Sequence, residues 1–424
     1  MSLYEEADGL LDTHVTWQDV EDEMRKALGT KARFGENKKA TNISDMKGFM
    51  SRIALVEPDW IDQKATENLP KKFAVKMSSQ LALSALAKQM ATSDDIFPKE
   101  KLDRMSELTR TTHNREVQVY RLLSELDDKN IPITKIYCLK EFSNENPLKG
   151  YIISEYVDNI HPIMLHDSLS IEDLKIVIKA CAAFSAIGEN ISRSQLSFAG
   201  GPEYLAMIVE KFFDARSMAE TGRLVRKAFD GEYVDEVEEV LKLYNDFYSN
   251  AQFSKKYTTI SEFLGFEPVL THADLWCNNL LFNRIDDHVV LRAIIDWQTV
   301  AICNPGQDVG RLFLTCLSTE DRHQHTEELL EYYYDCFVSQ LDDKSRIPYT
   351  LQQLKDSYDL YFPIMTTLVL PSIIPLLNLG NMAEGEREKV AKAAKMKSAG
   401  MLLDVLKYHK KNLQRFPDFY KKDD

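Results

Sequence analysis

The chain is poor in the features that mark several common protein classes. Cysteine occurs only six times in 424 residues, at Cys138, Cys181, Cys277, Cys303, Cys316 and Cys336. None forms a C-x-x-C pair, and the density is low for a long chain, so zinc-site spacing and a disulfide framework are both excluded. This usage points to a reducing compartment, and a cytoplasmic protein is expected. Basic charge is in deficit, with 52 Lys and Arg against 66 Asp and Glu and a formal net charge of −14. A nucleic-acid binder needs a basic surface, so that class is set aside; a neutral or cationic small partner suits the balance better. The segment Met1 to Gly9 is polar and acidic, with no basic start followed by an apolar run, so no signal peptide is expected. One stretch, Leu360 to Leu379, is apolar over about the length of a membrane span. Pro363, Pro371 and Pro375 interrupt it and no basic flank adjoins it, so a buried, kinked helix is expected there instead.

Internal repeats and low-complexity linkers are also missing. What remains is an ordinary globular composition, long enough to bury a core without disulfides or metals. The character of the chain changes once, near residue 155. Before it, Ser51 to Val56, Lys72 to Met77, Lys135 to Lys140 and Tyr151 to Tyr156 read as strands, with a long helical pattern from Glu100 to Asp127 among them. After it, helices are expected over 171–191, 202–229, 233–250, 307–317, 323–341, 350–378 and 384–411, around a strand-rich island at 266–297. The division expected is 1–155 and 156–424, a small β-rich lobe followed by a large α-rich one.

The island carries the chemistry. Thr271 to Phe282 reads THADLWCNNLLF, which contains His272, Asp274 and Asn279 in the pattern H-x-D-x-x-x-x-N. A strand-like run then leads to Ile294, Ile295, Asp296 and Trp297. Phosphoryl transfer asks for such a set. A carboxylate must orient the attacking hydroxyl and accept its proton, the role Asp274 fits. Mg²⁺ asks for hard oxygen ligands, which the Asn279 amide and the Asp296 carboxylate supply. The apolar runs Leu280 to Phe282 and Leu291 to Ile295 would pin both ligands on a hairpin.

These stretches resemble the catalytic loop and metal-binding aspartate of the protein-kinase-like superfamily. They are nearer its small-molecule branch of aminoglycoside phosphotransferases and choline kinases. THADLWCNNLLF and IIDWQ look most like the ecdysteroid-kinase-like (CHK kinase-like) family of insects and nematodes. THVTW (Thr13–Trp17) and ATNISDMKGFMS (Ala40–Ser51) resemble its nematode branch. The resemblance covers nearly the whole chain. It implies an α+β, bilobal protein-kinase-like fold, ATP and Mg²⁺ as cofactors, and a small hydroxylated acceptor of steroid-like or xenobiotic type.

Such a fold needs a lysine on a strand of the first lobe. Phe73, Ala74, Val75 and Lys76 fit: alternation puts Ala74 and Lys76 on one face, the small Ala74 leaving room for adenine beside the lysine. A glutamate on the next helix should hold that lysine. Glu116 lies on the apolar stripe with Tyr120 and Leu123, where a carboxylate is costly unless paired; Glu107 and Glu125 are weaker competitors by stripe position. By resemblance, Thr41 to Gly48 is the phosphate-covering loop, without the G-x-G-x-x-G of protein kinases, and the main chain of Glu155 and Val157 bonds the adenine edge. His272 braces the catalytic loop. Asp308 resembles a second acidic position, which either ties down that loop or binds metal. Trp276 and Trp297 either wall an acceptor pocket or simply pack. No A-P-E follows Asp296, and helical pattern resumes near Gln307, which leaves no room for a peptide-docking platform. Choline kinases carry an acidic residue where this chain has Gln298. The alternatives are a choline- or ethanolamine-type kinase and a catalytically silent kinase fold acting as a binding protein.

Overall fold

The computed structural model describes residues 2–44, 50–62, 64, 68–82, 84, 99–203, 206–207, 215–286, 288–373 and 384–421. The chain divides into two compact units: one of residues 1–128, 133–159 and 295–298, the other of 129–132, 160–294 and 299–424.

The first unit opens with helix α1 (Trp17–Leu28). The Thr16 hydroxyl accepts from the Asp19 N–H while the Asp19 carboxylate accepts from the Thr16 N–H, a reciprocal cap that satisfies donors no helical carbonyl can reach. Gly29 ends the helix at φ 61°, a left-handed turn that glycine enters without strain. Strands β1 (Arg33–Phe34), β2 (Lys39–Asn42), β3 (Ser51–Glu57), β4 (Trp60–Ile61) and β5 (Phe73–Ser78) follow, then α2 (Lys99–Leu126), β6 (Ile136–Lys140) and β7 (Tyr151–Glu155). Five of the strands form an antiparallel sheet in the order β2-β3-β5-β7-β6. The period of two along β5 sorts its side chains. Phe73, Val75 and Met77 are fully buried in a core with Val20 and Met24 of α1, each contributing about 1.5–3 kcal/mol. Ala74 and Lys76 take the opposite, partly exposed face. The sequence expectation for all four longer strands differs from these bounds by a residue or two.

In the second unit, helices α3 (Ile171–Asn190), α4 (Ala215–Phe229), α5 (Val234–Leu243), α6 (Ala251–Tyr257) and α7 (Ile260–Phe263) precede the strand-rich island. The island comprises β8 (Val269–Thr271), the hairpin β9 (Leu280–Ile285) and β10 (His288–Ile294), and β11 (Ala301–Cys303), which pairs with β8. Helices α8 (Gly306–Cys316), α9 (Thr319–Ser339), α10 (Leu351–Ile373) and α11 (Glu384–Arg415) complete the chain. Helix α8 is buried along its whole length apart from the partly exposed Arg311. At its start, a Cβ on Gly306 would lie 2.7 Å from Ser357 Oγ, so only glycine permits α8 to approach α10 this closely. The apolar run from Leu360 is the second half of α10 as far as Ile373, buried over 360–367 and at 369, 370 and 373; 374–379 lie outside the described residues. No helix among the described residues is long and apolar enough to cross a membrane.

Helices α1, α6 and α7 are not among those expected, and one expected helix ends early. The helix expected over 233–250 ends at Leu243, and Tyr244–Tyr248 form a wider π turn. There Tyr248 Oη meets His409 Nδ1 at 2.6 Å, inside an aromatic cluster with Phe253 and Tyr420, so tertiary packing overrides the local pattern. The helix expected over 202–229 is helical at Glu203, at 206–207 and over Ala215–Phe229, with 204–205 and 208–214 lying outside the described residues. A five-stranded sheet with one long helix, followed by a helical unit that carries the short catalytic-type hairpin, is an α+β, protein-kinase-like fold.

Candidate active site

In the first unit, Lys76 stands on the central strand β5 and Glu116 on α2. The ammonium donates to both Glu116 oxygens, at 2.8 and 2.7 Å, and to Asp296 Oδ1 at 2.6 Å. Its three hydrogens are thus committed to two carboxylates. Glu116 is 1% exposed, which explains why it needs this partner. It also accepts from the Trp297 backbone N–H, so it grips the chain one residue after Asp296. Burial penalises the Lys76 ammonium, but Asp296 and Glu116 outweigh that penalty and hold its pKa above the usual lysine value. Burial pushes the Glu116 carboxyl up, Lys76 pulls it down, and Asp296 adds to the rise. Asp296 itself sits at φ 66°, the left-handed region, which costs a non-glycine residue about 1–2 kcal/mol. The Gln298 amide donates to Asp296 Oδ2 at 3.3 Å. Glu107 is exposed and pairs with Arg110, and Glu125 is exposed, so neither competes with Glu116.

One turn before Glu116, His113 is buried between strands. Its Nε2 lies 2.8 Å from the Lys140 carbonyl, which only accepts, so Nε2 carries the hydrogen and Nδ1 accepts from Ser78 Oγ at 2.8 Å. Burial holds this imidazole neutral, its pKa pushed down to about 4.

In the second unit, the loop after β8 carries Asp274 and Asn279. Asn279 Nδ2 donates to the Asp274 carbonyl at 2.8 Å and to its Oδ2 at 3.2 Å. That fixes the amide so that its oxygen faces away from Asp274, the orientation a metal ligand needs. Ala273 adopts φ 63°. Asp308, in the first turn of α8, secures this turn: its two carboxylate oxygens accept the His272 N–H at 2.7 Å and the Ala273 N–H at 2.8 Å. Gln307 Nε2 donates to the Ala273 carbonyl at 3.0 Å. Of the two roles open to Asp308, the structure places it as the brace of the loop. Burial pushes its carboxyl up to about 7, against the pull of those two N–H groups. The His272 Nδ1 accepts the Asp274 N–H at 3.3 Å, a brace rather than a proton carrier.

The sequence reading missed Arg311. Its guanidinium donates to Asp274 Oδ1 at 2.8 Å and stacks over the Trp276 ring at 5.1 Å. The available signal was a lone arginine in the otherwise apolar second half of α8, one turn after Asp308. Of the two tryptophans, Trp297 is fully buried and packs, while Trp276 lies partly exposed under Arg311. The Glu155 main chain is already engaged, its N–H donating to Lys135 O at 2.8 Å and its carbonyl accepting from Ser154 Oγ at 3.3 Å. Val157 follows β7 in irregular backbone. Of Thr41 to Gly48, only 41–44 are described: Ser44 Oγ donates to Asn42 Oδ1 at 2.7 Å and accepts the Ile53 N–H at 2.8 Å. The rest of that loop lies outside the described residues.

No group of three or more His, Cys, Asp or Glu among the described residues is arranged to cage a metal. The Asp296 carboxylate, in the first unit, and the Asn279 amide oxygen, in the second, are each the hard oxygen donor that Mg²⁺ takes.

Several known proteins are similar. An uncharacterized kinase-like protein of Caenorhabditis elegans is 25% identical over 324 residues, covering 72% of this chain and 79% of that protein. The uncharacterized oxidoreductase dhs-27 of the same organism is 24% identical over 349 residues, covering 80% of this chain; the match spans 40% of that protein's length. Among solved structures, a microcompartment-associated aminopropanol kinase overlays with a TM-score of 0.42 at 12% identity, covering 92% of this chain and 97% of the other. The GDP complex of a wild-type aminoglycoside 2'-phosphotransferase overlays with a TM-score of 0.43 at 13% identity, covering 92% and 99%. The family model DUF1679, described as "Uncharacterized oxidoreductase dhs-27", matches residues 3–413. The chain belongs to the DUF1679 family.

Proposed function

We propose that this protein is an ATP- and Mg²⁺-dependent phosphotransferase that moves the γ-phosphoryl group to a hydroxyl of a small molecule. The reading is carried by the pairing of Lys76 Nζ with Glu116 and Asp296 at 2.6–2.8 Å, a charge cluster that is costly to assemble on a central strand and of the kind that gathers at functional sites. Residues 1–155 hold the nucleotide in this proposal. Lys76 contacts the α- and β-phosphates, Ala74 leaves space for adenine, and the main chain of Glu155, through the second lone pair of its carbonyl, and that of Val157 take its edge. Residues 156–424 hold the acceptor. Asn279 and Asp296 would ligate Mg²⁺, which when bound neutralises charge on the phosphates.

Asp274 orients the acceptor hydroxyl and takes its proton as the oxygen bonds to the γ-phosphorus and ADP departs. The lysine, metal-ligand and base sets have to serve one phosphoryl group. The short run from Asp296 to α8 at Gly306 supports a small acceptor over a protein one. The CHK kinase-like resemblance favours a steroid-like or xenobiotic-type alcohol, and the sparse cysteines favour a cytoplasmic setting.

The test is ADP release from Mg-ATP with hydroxylated acceptors. Asp274→Ala should cut turnover about 10²–10⁴-fold and leave Mg-ATP affinity within about threefold. Wild-type turnover in that variant would sink the assignment of the base.

A further inference from the structure

The charge beside Asp274 narrows the class of alcohol, an inference that rests on the phosphotransferase reading. Arg311 and Asp274 are both partly exposed, at 18% and 21%, so their pair lines accessible surface. Recognition of a cationic alcohol needs bare aromatic faces and uncommitted carboxylates. The aromatic face and the two carboxylates described at this turn are already committed. The Trp276 face is covered by the Arg311 guanidinium. Asp274 is neutralised by the same group, and Asp308 is spent on two backbone N–H groups. One turn of α8 beyond Arg311, the Lys397 ammonium, on α11, donates to the carbonyls of Thr315 and Asp167, both at 2.6 Å. Arg311 Nε and Trp276 Nε1 are buried with no hydrogen-bond partner among the described residues.

We propose that Arg311 sets the acceptor class: alcohols that are neutral or anionic next to the reacting hydroxyl are taken, and cationic amino alcohols of the choline and ethanolamine type are rejected. The Arg311 charge cancels that of Asp274, so a cation gains nothing here to offset its own desolvation, whereas a bare carboxylate about 6 Å away would favour it by about tenfold to a hundredfold in binding.

A matched pair of probes isolates this charge: choline, and its uncharged isostere in which a quaternary carbon replaces the nitrogen. Each alcohol is titrated into the full chain with Mg-ATP. The readout is the concentration at which it half-maximally changes ADP release, whether by acting as acceptor or by displacing water. In the wild type, the isostere should act at a concentration at least about tenfold lower than choline. In Arg311→Met the gap should close to within about threefold, and in Arg311→Lys, which keeps the charge, it should persist. Thermal melts establish that the variants are folded. Choline acting at an equal or lower concentration in the wild type overturns the proposal. So does an unchanged gap in Arg311→Met, or no effect of either alcohol up to its solubility limit. If the wild type neither binds Mg-ATP nor releases ADP from it, the phosphotransferase reading itself falls and takes this inference with it.

Discussion

Replacing Lys76 with methionine removes the ammonium and keeps most of the side-chain volume. Glu116, 1% exposed, would then keep the Trp297 N–H but lose its countercharge. Breaking a buried ion pair by removing one partner costs about 3–5 kcal/mol. Lys76 and Asp296 are 17% and 26% exposed, so water relieves part of this and a loss of about 2–4 kcal/mol is expected. Adding Glu116→Gln removes the stranded charge while keeping an acceptor for the Trp297 N–H. The double variant should therefore recover at least half of the loss, although it has fewer native contacts than the single one. Urea denaturation followed by tryptophan fluorescence reads this unit well, because Trp17, Trp60 and Trp297 belong to it and only Trp276 to the other. A loss below about 0.5 kcal/mol in Lys76→Met, or a deeper loss in the double variant, would refute the reasoning about the buried carboxylate.

Two further outcomes follow from the braces around the site. Asp308→Asn sets an amide N–H₂ against one of two buried backbone N–H groups; it should cost about 1–3 kcal/mol in denaturation and lower turnover more than Mg-ATP affinity. Equal loss of both would detach Asp308 from the catalytic loop. His113, with its pKa pushed down to about 4 from 6.5, binds its proton less readily folded than unfolded, so its contribution is intact above pH 6.5 and is lost as pH falls toward 4. Glutamine can make both of its hydrogen bonds without titrating. The stability of the wild type relative to His113→Gln should therefore fall by about 3 kcal/mol between neutral pH and pH 4, and a flat difference would mean that the ring is not held neutral.

Much of this was legible in the sequence where one local rule decides the outcome. The period of two along Phe73 to Met77 needed only a sheet to bury it, and it separated Lys76 from the core face. Glu116 could be found because a carboxylate on an apolar helical stripe demands a partner. The unit that carries the helices was harder. Tyr244 to Tyr248 fit a helical pattern, and only the distant His409 and Tyr420 draw them into a wider turn. Arg311 could be noticed as a lone arginine in α8, but its partner could not: nothing in α8 says that the guanidinium reaches back to Asp274, because β8 and β11 bring the two together. The two roles left open for Asp308 separated only once its oxygens were seen to face His272 and Ala273.

The central claim is that Lys76, Glu116 and Asp296 form a site for a magnesium nucleotide. Calorimetric titration of the full chain with ATP, with and without Mg²⁺, tests it most directly. Magnesium-dependent binding that is weakened at least about tenfold in Asp296→Ala, about 1.4 kcal/mol, is the result expected. Binding indifferent to both magnesium and Asp296, or none at millimolar nucleotide, would contradict it.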